Sequence, residues 1–125
     1  MARSEHAEQN DALIGITALS DTFAYRQNTG QAWQGRPINA EAGDTIRVTP
    51  GMKILADARP VRFGLEGAGD IVGHRRGKAF QVEMKTLTGP QREAQIAFGE
   101  VWEKRGGIYI LARSAQAAIE GISRI

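Results

Sequence analysis

Between Ser4 and about Leu19 the apolar positions Ala12, Leu13, Ile16 and Leu19 recur at helical spacing, and Ser4 can cap the first turn, so the pattern predicts a helix there. Gly15 lies inside that stripe and weakens it. Phe23 to Arg26 reads as a strand. The stretch from Asn28 to Pro60 is rich in Gly, Pro, Asn and Asp, and offers only a short strand at Thr45–Thr49 before the turn signal Pro50-Gly51. A long irregular stretch in a compact domain is often functional. Val61–Phe63 reads as another strand, followed by the turn Gly64-Leu65-Glu66-Gly67-Ala68-Gly69.

A hairpin pattern comes next. Ile71-Val72 is a short apolar run, Gly77 sits in a basic turn, and Phe80, Val82 and Met84 then alternate with Gln81, Glu83 and Lys85. Thr88-Gly89-Pro90 breaks the chain. A helix is expected from about Pro90 to Arg105 with Ala94, Phe98, Val101 and Trp102 on its apolar face, ended by Gly106-Gly107. Ile108–Ala112 reads as a buried strand, and Ser114 caps a last helix through about Ile122. The helical crossover makes the Glu83 and Ile108 strands parallel neighbours in one sheet. Gln91 and Gln95, one turn apart, look toward one edge. The order of elements predicts an α/β fold, a central mixed sheet flanked by helices, in a single domain over residues 1–125.

The hairpin brings Asp70 toward Glu83 and Lys85. Two carboxylates and a lysine at the edge of a buried sheet are costly unless they bind something. Two carboxylates suit a hard divalent cation such as Mg²⁺, and a lysine beside it suits an attacking water or a phosphate.

Composition adds little against this picture and removes several rivals. With 42% hydrophobic and 24% charged residues the chain has ordinary globular proportions. It has no cysteine, so disulfides and thiolate zinc sites are excluded, and a reducing compartment fits. The first ten residues are too polar for a signal peptide, and no apolar run has membrane-spanning length, so a cytoplasmic protein with no membrane partner is expected. The net charge of +2 is weak evidence by itself. Its distribution says more: Arg47, Lys53, Arg59, Arg62, Arg75, Arg76, Lys78 and Lys85 face only Asp57, Glu66, Asp70 and Glu83 in the same span. If Asp70 and Glu83 hold a cation, the middle of the chain becomes a surface for a polyanion, with Arg62, Arg75, Arg76 and Lys78 as the candidates to contact it. His6 and His74 lack a spaced partner for a metal site, and Trp33, Trp102 and Phe98 are read as packing residues. The Gly64–Gly69 turn lacks dinucleotide-fingerprint spacing and precedes a strand.

The line from Arg62 to Gly73, then Val82-Glu83-Met84-Lys85, Gly89, Gln95 and Gly106-Gly107-Ile108-Tyr109, resembles the virus-type replication-repair nuclease (VRR-NUC) domain of the PD-(D/E)XK superfamily. Tyr25 to Gly30 is similar to that family's Arg-x-Asn segment, and the resemblance runs from about Glu5 to Ile122. Small standalone members occur in phages and bacteria. The resemblance implies a restriction-endonuclease-like core and a Mg²⁺- or Mn²⁺-dependent endonuclease acting on DNA, with four-way (Holliday) junctions or other branched DNA in replication, repair or recombination as substrate. It implies Asp70, Glu83 and the main-chain carbonyl of Met84 as metal ligands, Lys85 as the residue that handles water, Gln95 as a helical glutamine beside the site, and an acid on the first helix. Glu5 fits that last place best and Glu8 competes. Met84 stands where a β-branched residue is usual, and Glu41–Pro60 is longer or more irregular than in short members; neither departure removes a catalytic group. Symmetric junction cleavage implies a homodimer. The alternative is a DNA-structure-binding module with a vestigial nuclease site.

Overall fold

The computed structural model describes residues 4–28, 30–38, 41–45, 47, 50 and 54–125. Two compact units divide the chain, Met1–Thr29 with Gly64–Ile125, and Gly30–Phe63.

The larger unit is mixed α/β: helix α1 (Glu5–Thr17), strand β1 (Thr22–Arg26), then β4 (Ile71–Arg75), β5 (Lys78–Met84), α2 (Glu93–Lys104), β6 (Ile108–Ala112) and α3 (Ala115–Ser123), with β2 (Gly30–Ile38) and β3 (Ile54–Phe63) belonging to the other unit. Its four strands lie in the order β1-β4-β5-β6. The first two pairings are antiparallel, and β5 and β6 are parallel, joined by α2 as the crossover rule demands. The sheet is therefore mixed and flanked by helices.

Local chemistry sets most of these boundaries. Ser4 Oγ accepts the Ala7 N–H and opens α1. Ser114 Oγ accepts the Ala117 N–H and opens α3. Ala12 and Ile16 on α1 pack with Phe80, Val82 and Met84 on β5 and with Ala118 and Ile122 on α3, all fully buried. Burial of each large side chain in that cluster contributes about 1.5–3 kcal/mol. Gly15 has a positive role after all. A Cβ there would stand 2.2 Å from Ile119 Cδ1, so the glycine lets α1 lie close on α3.

The helix expected from Pro90 begins three residues later. Arg92 is its N-cap: the Arg92 N–H donates to Gln95 Oε1 at 2.8 Å, so the chain turns helical only from Glu93. Arg113 Nη1 donates to the carbonyls of Thr86 and Gly89, 2.7 Å each, and holds the preceding segment as a turn. The C-terminus closes as expected, with the Gly107 N–H on the Trp102 carbonyl.

The smaller unit corrects the reading of Asn28–Pro60. Strands β2 (Gly30–Ile38) and β3 (Ile54–Phe63) form a two-stranded antiparallel sheet with a register shift between Gln34 and Arg36. The strand expected at Val61–Phe63 thus starts at Ile54 and runs through Pro60, which a sheet without a central strand tolerates. Of the strand expected at Thr45–Thr49, residues 46, 48 and 49 lie outside the described residues. Among the described residues, no helix is long and apolar enough to cross a membrane.

Candidate active site

The β4–β5 register pairs Ile71 with Val82. One step further along that ladder, Asp70 stands beside Glu83. Side chains on paired residues share a sheet face, so both acids lie on the face that carries α2, opposite the Phe80–Val82–Met84 core. Asp70 Oδ2 accepts the Met84 N–H at 2.8 Å. Lys85 Nζ lies 3.5 Å from Glu83 Oε1. Gln95, on the first turn of α2, donates from Nε2 to the same Glu83 oxygen at 2.7 Å. Its amide orientation is set because its Oε1 already holds the Arg92 N–H. Glu5 and Gln9 reach the cluster from α1, Glu5 through its charge on both acids and Gln9 through a hydrogen bond to Asp70.

Glu83 is only 4% exposed. Burial, and then the charge of Asp70, push its carboxyl up to about 7, against a smaller downward pull from Lys85. Burial also raises Asp70, opposed by the Met84 N–H. Two carboxylates that resist ionising side by side form a place where a divalent cation gains most. Among the described residues no group of three or more His, Cys, Asp or Glu side chains stands together as a metal site. Mg²⁺ does not need three: it is commonly held through one or two carboxylates, with waters and substrate phosphates completing its shell. Asp70 and Glu83 fit that demand. Met84 has a buried thioether and a committed N–H, so its carbonyl is the group that matches the implied ligand.

Four further residues shape the site. Gln81, 4% exposed, accepts the Gly69 N–H on Oε1 at 2.7 Å and so anchors the glycine-rich turn that delivers Asp70. The Gln27 main-chain N–H donates to the Asp70 carbonyl at 2.8 Å, and its side chain donates to the Gly69 carbonyl. Tyr109 donates its hydroxyl to the Gly67 carbonyl at 3.2 Å, and burial with the charges of Glu83 and Asp70 raises its pKa, keeping it a neutral donor. Arg26 donates from Nη2 to Asn10, and its Nε is buried without a partner among the described residues. Gln81 shared the alternating polar face with Glu83, a signal that was present in the sequence. The role of Gln27 had none, because its partners are more than forty residues away.

The first-helix acids separate clearly. Glu8 Oε2 accepts the Ala115 N–H at 2.6 Å and serves the start of α3. Glu5 is the acid whose charge reaches Asp70 and Glu83. If the cluster holds a divalent cation, Glu5→Gln is expected to weaken its binding. Glu8→Ala is expected to cost about 1 kcal/mol of stability, the scale of a lost helix cap. Metal titration and thermal melts of the two variants check the ranking, which the opposite pattern would reverse.

Among the basic candidates of the larger unit, Arg75 is buried while Arg76 and Lys78 are exposed. Arg75 is 5% exposed, and its Nη1 donates to the Ser20 carbonyl at 2.6 Å and Thr22 Oγ1 at 3.0 Å, with Nε on the Ile125 carbonyl. It is a structural clamp and not a DNA contact, because strand parity turns it to the core face. Arg76 and Lys78 are exposed at the hairpin tip; Lys78 pairs with Arg75, five residues from Asp70 and thus about 17 Å along the strand. Arg62 belongs to the smaller unit. His6 and His74 are exposed.

No protein-family model matches the chain, and no curated protein matches it.

Proposed function

We propose that this chain is a metal-dependent endonuclease hydrolysing phosphodiester bonds in DNA, of the VRR-NUC type on a PD-(D/E)XK core. The observation that carries the reading is the convergence at one end of β5 of Asp70, on the Met84 N–H, and Glu83, on Gln95 and Lys85, with Glu5 in electrostatic range. Buried like charges of this kind are destabilising, and their presence in one site favours a functional role.

Asp70, Glu83 and the Met84 carbonyl would hold Mg²⁺ or Mn²⁺. When bound, such an ion supplies Lewis-acid polarisation of a phosphate and neutralises charge that develops on it. Gln95 keeps the Glu83 carboxylate in one orientation. The Met84 N–H does the same for Asp70. Lys85, beside Glu83 and 12% exposed at its side chain, orients a water for in-line attack or stabilises the phosphate oxygens. Tyr109 and Gln81 hold the turn that carries Asp70.

A panel of labelled junction, flap, duplex and single-stranded DNAs, with Mg²⁺, Mn²⁺ or EDTA, tests the activity. Cleavage that requires the metal supports the reading, and binding without cleavage on every substrate would make the chain a binding module. Lys85→Met is expected to lower the cleavage rate on the order of a hundredfold with metal affinity changed by no more than a few fold. Loss of metal binding with an unchanged rate at saturating metal would contradict that role. Paired symmetric cuts in a four-way junction require two sites, so a homodimer belongs to this reading if the junction is the substrate. Light scattering at assay concentration measures it, and a monomer that still makes paired cuts would remove the dimer from the proposal.

A further inference from the structure

The sheet face that carries the acids is not closed by α2. Register places Tyr25, Val72 and Gln81 in one transverse row on that face, and Phe23, His74 and Ala79 in the next. Phe23 and Tyr25 remain 58% and 52% exposed. Phe23 lies 6.0 Å from Tyr25 and 5.9 Å from His74, nearly parallel to the imidazole at 26°. Three rings therefore stand in water on two edge-side strands, where a solvated face would ordinarily carry polar residues.

Beside them runs an open trough of about 730 Å³. Its near end is at Gln27 and Gln81, the residues that anchor the turn before Asp70, and its far wall is Phe98 and Trp102 of α2. Glu66 is the carboxylate on its lining. At Trp102 and Arg105 it meets a second depression of about 570 Å³, lined also by Arg76 and Lys78. Among the described residues neither Lys78 nor Arg105 is paired with a carboxylate, and Arg76 has only an exposed contact with Asp21 at 3.7 Å. An exposed pair of that kind is worth little and is readily exchanged for a phosphate.

We propose that this face is a track for an unpaired DNA strand, with bases stacking on Phe23 and Tyr25 and phosphates held at Arg76, Lys78 and Arg105. A duplex hides its bases and offers nothing to exposed rings. An unpaired strand offers a π-face at each nucleotide and a phosphate at each step, which matches rings at one side of a trough and cations at its end. The assignment rests on the nuclease reading for its purpose: the strand would leave the acids along the hairpin, which makes the substrate DNA with an unpaired segment beside the scissile bond. Binding of an unpaired strand does not depend on that reading; the preference for DNA over RNA does.

The test is fluorescence anisotropy in EDTA with a labelled dT oligonucleotide, a rU oligonucleotide and a duplex of equal length. The dT strand is expected to bind tighter than either. Phe23→Ala and Tyr25→Ala are each expected to weaken dT binding on the order of tenfold and to leave duplex binding within about twofold, while Tyr25→Phe retains affinity. Both rings are more than half exposed, so these variants keep their fold, which circular dichroism checks. Lys78→Ala and Arg105→Ala are each expected to reduce the slope of log affinity against log salt by about 0.7. Tighter binding of the duplex or of rU, or ring variants that bind dT like the wild type, would overturn the proposal. A chain that binds dT in this way and cuts nothing with Mg²⁺ or Mn²⁺ defeats the nuclease reading alone. One that cuts duplex and ignores the unpaired strand defeats this one alone.

Discussion

If the chain is the nuclease proposed, Asp70→Asn and Glu83→Gln are each expected to lower DNA cleavage by about a thousandfold or more, the scale on which one preorganised electrostatic group acts, while making the metal-free protein more stable. Both replacements are nearly isosteric. An amide oxygen at position 70 can still accept the Met84 N–H, and one at position 83 can still accept from Gln95. What is removed is charge. The sign of the stability effect follows from the raised carboxyls. Glu83 moves from an ordinary 4.5 to about 7 in the folded protein, and Asp70 moves in the same direction. The folded state thus favours the protonated acid. That advantage is complete below pH 4.5 and is lost as pH rises toward 7, so the contribution of Glu83 to stability falls across this window. In Glu83→Gln that loss is absent. At pH 8 without metal the variant is expected to melt about 5 °C above the wild type, a difference on the order of 1 kcal/mol. At pH 4.5 the two should coincide. Added Mg²⁺ should raise the wild-type midpoint and not that of the variants, because only a state that binds the ion gains from it. Wild-type cleavage in either variant, or a melting difference that shrinks from pH 4.5 to pH 8, would contradict the account.

Gly67→Ala is expected to be the most destabilising of the small substitutions around the site, costing about 3 kcal/mol or more. Gly67 has φ +90°, which an alanine adopts only with strain. A Cβ there would also fall 2.1 Å from the Ala94 carbonyl oxygen and 2.6 Å from its carbon. These are backbone atoms of α2 and cannot rotate aside. Strain of about 1–3 kcal/mol adds to overpacking of similar size. The Tyr109 hydroxyl holds the Gly67 carbonyl from the other side, so a displaced turn also moves the approach to Asp70. Gly77→Ala is the control: its φ is +79° and nothing lies within 4 Å of the added carbon. It should cost only about 1 kcal/mol. Thermal melts of the pair separate close approach from backbone strain, and equal midpoints would show that the α2 contact is not the cause.

The acid–lysine cluster was legible because its geometry is local. A two-residue turn at Arg76-Gly77 sets the β4–β5 register, and register then decides that Asp70 meets Glu83. The same alternation identified Phe80, Val82 and Met84 as one face, and the spacing of Ala12 and Ile16 identified another. Ser4 and Ser114 announced their helices because a cap acts within three residues. The parallel pairing of β5 and β6 followed from the handedness of a helical crossover.

What the tertiary structure alone decided depends on partners far along the chain. Arg75 sits next to a basic turn and has the composition of a surface residue, yet Ser20, Thr22 and Ile125 bury it from fifty or more residues away. The polar face of β5 is no solvated face: the glycine-rich turn holds Gln81, Gln95 of α2 holds Glu83, both are 4% exposed, and that burial is what lifts the Glu83 carboxyl. Glu5 and Glu8 are alike in sequence, one turn of helix apart in opposite service, and only the position of α3 assigns Glu8 to the Ala115 N–H. The strands β2 and β3 hide in a stretch rich in Gly and Pro, since each is supported mainly by the other and not by a periodic apolar face. Spacing along a chain determines which side chains share a face of one element. Which face meets water, and which buried charge is left without compensation, is set by elements that pack against it from elsewhere.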